Sequence, residues 1–111
     1  MARQRRSRTI ALSEPVEACG REVTELVMRE PLVRDMLDAQ VAAEMAVADQ
    51  RRTATSAEVE VRLFAMLCGV PVEDLMGWPQ SVYGALQDGY RFLSAPGQPL
   101  PPVPTDGTAE G

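Results

Sequence analysis

Residues 9–30, TIALSEPVEACGREVTELVMRE, decide whether this chain begins as sheet or as helix. Ile10 and Leu12 fall on one side of an extended chain, and the stretch to Glu17 alternates loosely. Pro15 has no N–H to give to a ladder, so it marks an edge strand or a bulge. ACGR follows, and Gly20 can take the positive φ that a tight turn requires. EVTELVMRE then places Leu26 and Met28 on one face and Val23 and Val27 on the other. Two strands around a glycine turn make a β-hairpin over residues 9–29. A lone hairpin is marginal in water, so this one must pack on something.

The partner lies downstream. Glu30 avoids the helical region because a proline follows it, while Pro31 suits a helix start. Residues 32–50 read as one long helix. Val33, Leu37, Val41 and Met45 recur every four residues, with Leu32, Met36, Ala39 and Ala43 beside them as a wide apolar stripe. Arg34, Asp38 and Asp49 take the wet side, and RRTATS is read as a loop. Thr55 and Glu58 form a capping box that opens a nearly buried helix over 56–68. Its apolar residues are Val59, Leu63, Met66 and Leu67, with Val61, Phe64 and Cys68 alongside.

CGVPVEDLMGWPQS, residues 68–81, looks at first like a catalytic loop. It resolves into punctuation. Gly69 ends one helix, Pro71 opens a short one over 72–76, Gly77 stops that, and Pro79 opens the last over 80–94. Glu73 and Asp74 fall in a first turn, where carboxylates favour the helix dipole, and Leu75 and Trp78 dock the corner. Val82, Leu86, Tyr90 and Leu93 share a face of the last helix, which Gly84 and Gly89 each weaken by about 1 kcal/mol relative to alanine. The expected fold is α+β: an N-terminal β-hairpin packed on a small bundle of three to four helices. Residues 1–8 are expected to be a disordered basic start, 9–94 the domain, and 95–111 a disordered Pro/Gly-rich tail.

Composition narrows the chemistry. Histidine is absent, which removes the commonest general base and metal ligand. Ser81 and Ser94 have no histidine or lysine to activate them. Glu73 and Asp74 are adjacent on a helix and point apart. Asp38, Glu44 and Asp49 do not share a metal-binding face, and Cys19 and Cys68 lack companions at ligand spacing. No glycine-rich phosphate loop is present, so neither an enzyme nor a cofactor is expected. From Thr9 onward seven arginines stand against sixteen carboxylates, a net of nine negative charges that repels nucleic acid. A helix-turn-helix reading of the CGVP break fails on the same ground, because no arginine follows until Arg91. No apolar run is long enough to cross a membrane. The basic start lacks a signal-peptide core, so a cytoplasmic protein with free thiols is expected.

Five internal methionines, Met28, Met36, Met45, Met66 and Met76, suit either a core or a surface for varied apolar partners. PLPPVP, residues 99–104, has the look of a polyproline ligand or a stiff linker.

The order IALSEPV (10–16), EVTELVMREPLVRDM (22–36), LFAMLCGVPVEDLMGWP (63–79) and VYGALQDGYRFL (82–93) resembles the tail assembly chaperones of contractile-tailed phages, the Mu-like and P2-like group. The resemblance spans most of residues 9–94, and each motif in it is structural. It implies a non-catalytic protein of the host bacterial cytoplasm that binds and solubilises the tape measure protein and is not retained in the mature virion. It also implies, for some members, a longer frameshifted form of the same protein as a partner. Nucleic acid and membrane are not expected partners, and homo-oligomerisation stays open. The wide stripe nominates Leu32, Met36, Leu37, Val41 and Met45 as part of the client groove. A structural tail-associated interaction protein and a small DNA-contacting regulator are the alternatives.

Overall fold

The computed structural model describes residues 6–95. Strand β1 (Ser7–Ala18) and strand β2 (Arg21–Arg29) form an antiparallel two-stranded sheet. Helices α1 (Val33–Ala46), α2 (Ser56–Cys68), α3 (Val72–Met76) and α4 (Gln80–Ser94) follow. The expected α+β arrangement is present. Residues 1–5 and 96–111, on which most of the expected disorder falls, lie outside the described residues.

Cys19 at φ 55° and Gly20 at φ 79° make the two-residue turn between Ala18 and Arg21. Two positive φ values are what a type I′ hairpin demands, because that turn matches the strand twist. Pro15 sits in a bulge. Ala11 pairs with Glu25 and Val16 with Val23, so residues 12–15 stand opposite Thr24 alone. The interruption frees the strand from needing a donor at the proline. Ile10, Val16, Ala18, Leu26 and Met28 are buried on the hairpin.

α4 packs on β1, α2 packs on β2, and α1 packs on α2. Phe64, at the centre, is fully buried with Met28, Val82 and Leu86. Its ring centroid lies 5.6 Å from Tyr83 and 5.3 Å from Tyr90, so aromatic packing links α2 to α4. Above that contact the Tyr83 hydroxyl donates to Glu60, and Gln87 Nε2 donates to the same carboxylate at 3.1 Å. Burial, reinforced by the Glu60 carboxylate, pushes the Tyr83 phenol well above its ordinary pKa.

The helix ends follow local chemistry. Thr55 Oγ1 accepts from the Glu58 N–H at 3.1 Å, and the Glu58 carboxylate accepts from the Thr55 N–H at 2.8 Å. Gly69 at φ 68° closes α2, with its N–H on Met66 O and the Val70 N–H on Ala65 O. Those two bonds are the Schellman pattern. Pro71 and Pro79 stand at the N-cap positions of α3 and α4 in extended geometry.

Two expectations are corrected. The first helix does not run to Gln50: α1 ends at Ala46, Ala48–Gln50 form a 3₁₀ turn, and Arg51 is left-handed at φ 55°. No glycine or proline marks that stop. Val47 turns inward to 4% exposure, and the Glu44 carboxylate takes the Ala54 N–H at 3.2 Å, folding the connection back on α1. The basic start is also shorter than eight residues, because Ser7 and Arg8 already belong to β1. Arg6 donates from its guanidinium to Leu93 O at 2.7 Å and from its N–H to the Glu30 carboxylate at 3.0 Å. A cation on the last carbonyls of α4 also suits the helix dipole.

Gly89 has a packing role that its helix position hid. A Cβ there would stand 2.6 Å from Ile10 Cδ1. The missing side chain lets β1 lie directly on α4. Nothing comes within 4 Å of the corresponding point on Gly84.

Candidate functional site

α1 carries two stripes of four-residue spacing on opposite sides. Asp35, Ala39, Ala43 and Val47 face inward and are buried. Val33, Leu37, Val41 and Met45 face outward, with 73%, 55%, 57% and 73% of their surface exposed. Two residues along a helix is a turn of about 200°, which separates the two stripes. Ala39 and Ala43 are fully buried, so small side chains let α1 approach α2 closely. The larger apolar residues are left on the side that nothing covers. Leu32, at the N-cap, and Met36 are exposed too, but Met36 lies about 100° round the helix from Leu37 and so flanks the row.

Periodicity alone puts the alanines and the large residues on one wide stripe. The structure splits them. All five nominated residues are exposed: Met36, Leu37, Val41 and Met45 on α1, and Leu32 at its N-cap. Val33 was not nominated, although it continues the same four-residue spacing and is as exposed as Met45. A row of this size is more than the scattered exposed apolar residue of an ordinary surface.

Polar anchors hold the helix in place. The Arg29 guanidinium grips the Asp35 carboxylate at 2.9 and 3.2 Å, and the same carboxylate accepts the Leu32 N–H at 2.8 Å. The end of β2 is thereby tied to the first turn of α1. Past its other end the Glu44 carboxylate accepts the Ala54 N–H at 3.2 Å, and in the connection Arg52 pairs twice with Glu58 of α2, at 2.9 and 2.7 Å. The Arg52 bonds, aided by the Thr55 N–H, hold the Glu58 carboxyl down at about 2. α1 is therefore a fixed platform with an apolar outer side.

The residues weighed for chemistry have structural partners. Asp74 accepts the Cys19 N–H at 2.9 Å, and Trp78 Nε1 donates to Glu17 O at 2.9 Å. Together they fasten the hairpin tip to the α3–α4 corner, beside an open cleft of about 390 Å³. Ser81 Oγ lies 3.1 Å from Ser13 Oγ. Cys19 and Cys68 are both free thiols, and burial pushes Cys68 up to about 12. Among the described residues no three acidic or cysteine side chains converge on a metal position. Arg8 stacks on the Phe92 ring at 4.1 Å. Two arginines of the basic start, Arg6 and Arg8, therefore bind inside the domain. Of the methionines, Met28 is buried and Met66 half-buried, whereas Met36, Met45 and Met76 are exposed.

Residues 9–94 match the family model described as phage tail assembly chaperone proteins, E, or 41 or 14. No curated protein and no solved structure matches the chain.

Proposed function

The chain belongs to the phage tail assembly chaperone family, and from that premise we propose that it binds the tape measure protein and keeps it soluble until the tail tube assembles. It works by lending apolar surface, with no bond made or broken. Its place is the host bacterial cytoplasm, and it leaves before the virion is complete.

The observation that carries this reading is the outer row of α1, from Val33 to Met45. A helix whose large apolar residues face away from its own core offers a second helix the anchors it needs, spaced three, four and seven residues apart. Met36 and Met45 add side chains that adjust to varied contacts. The excess of acidic residues over the rest of the domain keeps the complex in solution.

The test is to change Met36 and Met45 together to glutamate and to co-express the chain with its tape measure protein. Each buried methionine contributes about 1.5–3 kcal/mol, so the double change should weaken binding by well over tenfold. Both positions are exposed, so melting should shift little. The tape measure protein should move to the insoluble fraction. Unchanged solubilisation by a folded M36E/M45E chain would refute the assignment. Mass spectrometry of purified virions gives the second check, since a departed chaperone leaves no peptides there.

A further inference from the structure

The outer row of α1 is complementary to itself. Val33, Leu37, Val41 and Met45 follow one another at about 6 Å along the helix, and all four are more than half exposed. A second copy laid antiparallel seats its own row in those gaps, each side chain about 3 Å along from its neighbours. Leu37 then lies beside the second copy's Leu37, close to a twofold axis, as an isologous contact requires.

Charge selects the register. Arg34 and Asp38 each stand one residue on from Val33 and Leu37, so they line one flank of the row. Both are exposed, and neither forms an ion pair with any described residue. The register that sets Leu37 beside its copy also brings Arg34 level with the second copy's Asp38, and symmetry supplies that pair twice. Sliding the copy one step either way sets Arg34 against Arg34 or Asp38 against Asp38, which like charge opposes. On the other flank the one charged residue is Glu44, already held by the Ala54 N–H at 3.2 Å and Gln40 Nε2 at 2.9 Å.

We propose that two copies of this chain pair antiparallel through Val33, Leu37, Val41 and Met45, with Arg34 of each against Asp38 of the other. Each copy brings one helix row about 18 Å long, so the interface stays under about 1,200 Å² and the pair exchanges readily. The row is thereby covered when nothing else occupies it. The second copy takes the surface assigned above to the tape measure protein; that the two compete rests on that reading.

Sedimentation equilibrium of the full chain at low salt, over about 5–500 µM, tests it. The average mass should climb from 12.1 kDa toward twice that value as concentration rises. Arg34→Asp or Asp38→Arg gives the whole flank one sign, so no register escapes repulsion, and each should weaken pairing by about tenfold or more. The double reversal R34D/D38R restores opposite charges and should restore the dimer. All three changes are at exposed positions, so circular dichroism melts should move little. A mass of 12.1 kDa at every concentration overturns the proposal. So does a dimer that either single reversal leaves intact, which would put the contact elsewhere. A dimer that both single reversals weaken and R34D/D38R fails to restore overturns it as well. No tape measure protein is present in this assay, so its failure leaves the client reading intact.

Discussion

Replacing Gly89 by alanine should destabilise the domain although it improves the helix. In an open helix the change is worth about 1 kcal/mol in favour of alanine. Here the new Cβ would stand 2.6 Å from Ile10 Cδ1 and 3.0 Å from Ile10 Cγ1. Ile10 is 5% exposed and has packed neighbours on every side, so its side chain has to move within a filled core. Overpacking of that kind costs about 1–3 kcal/mol. The net effect is a loss of about 0–2 kcal/mol. Gly84 lies on the same helix with nothing within 4 Å, so G84A should gain about 1 kcal/mol. The gap between the two substitutions therefore isolates the steric cost. Urea unfolding followed by helical circular dichroism measures both. In an I10V background the atom at 2.6 Å is gone, and G89A should recover most of the loss. A double-mutant cycle with coupling below about 0.5 kcal/mol, or a G89A chain as stable as G84A, would show that β1 does not rest on α4 as described.

Glu58 titrates lower in the folded chain than its usual 4.5, so the unfolded chain binds the extra proton between those values. Stability from this group is complete above about pH 4.5 and drains as pH falls toward 2; E58Q should flatten that part of an acid titration. Cys68, pushed up to about 12, should stay unmodified by Ellman's reagent at pH 8 while exposed Cys19 reacts, giving one fast thiol per folded chain and two in denaturant. Ala43→Leu should cost about 1–3 kcal/mol by wedging α1 off α2. Val41→Ala, two residues away on the outer side, should stay within about 0.5 kcal/mol of the parent in the same melt.

The hairpin was legible because its signals are local: Pro15 and Gly20 have conformational requirements that neighbours cannot override. The same holds for the Thr55–Glu58 cap and for the stops at Gly69 and Gly77. The end of α1 was not legible, since Val47 stops it by turning into the core and no breaker residue stands there. The facing of α1 was ambiguous for another reason. Its apolar residues cover more than half of the circumference, and periodicity alone cannot say which part faces inward. The packing of α1 on α2, with Ala39 and Ala43 fully buried, makes the choice. The Arg6 clasp joins residues 87 positions apart and leaves no trace in sequence spacing. That Leu37, Val41 and Met45 share an exposed side follows from the four-residue repeat, and Val33 belongs to the same repeat.

The alanine seam between α1 and α2 has an evolutionary consequence. Residues that secure the domain and residues available to a client alternate along one short segment without sharing a side. Substitutions in the outward set can accumulate one at a time, each nearly neutral for persistence of the fold. If the proposed function holds, lineages can adapt the surface to a diverging tape measure while the inward set stays still, and drift in the two sets should be uncorrelated.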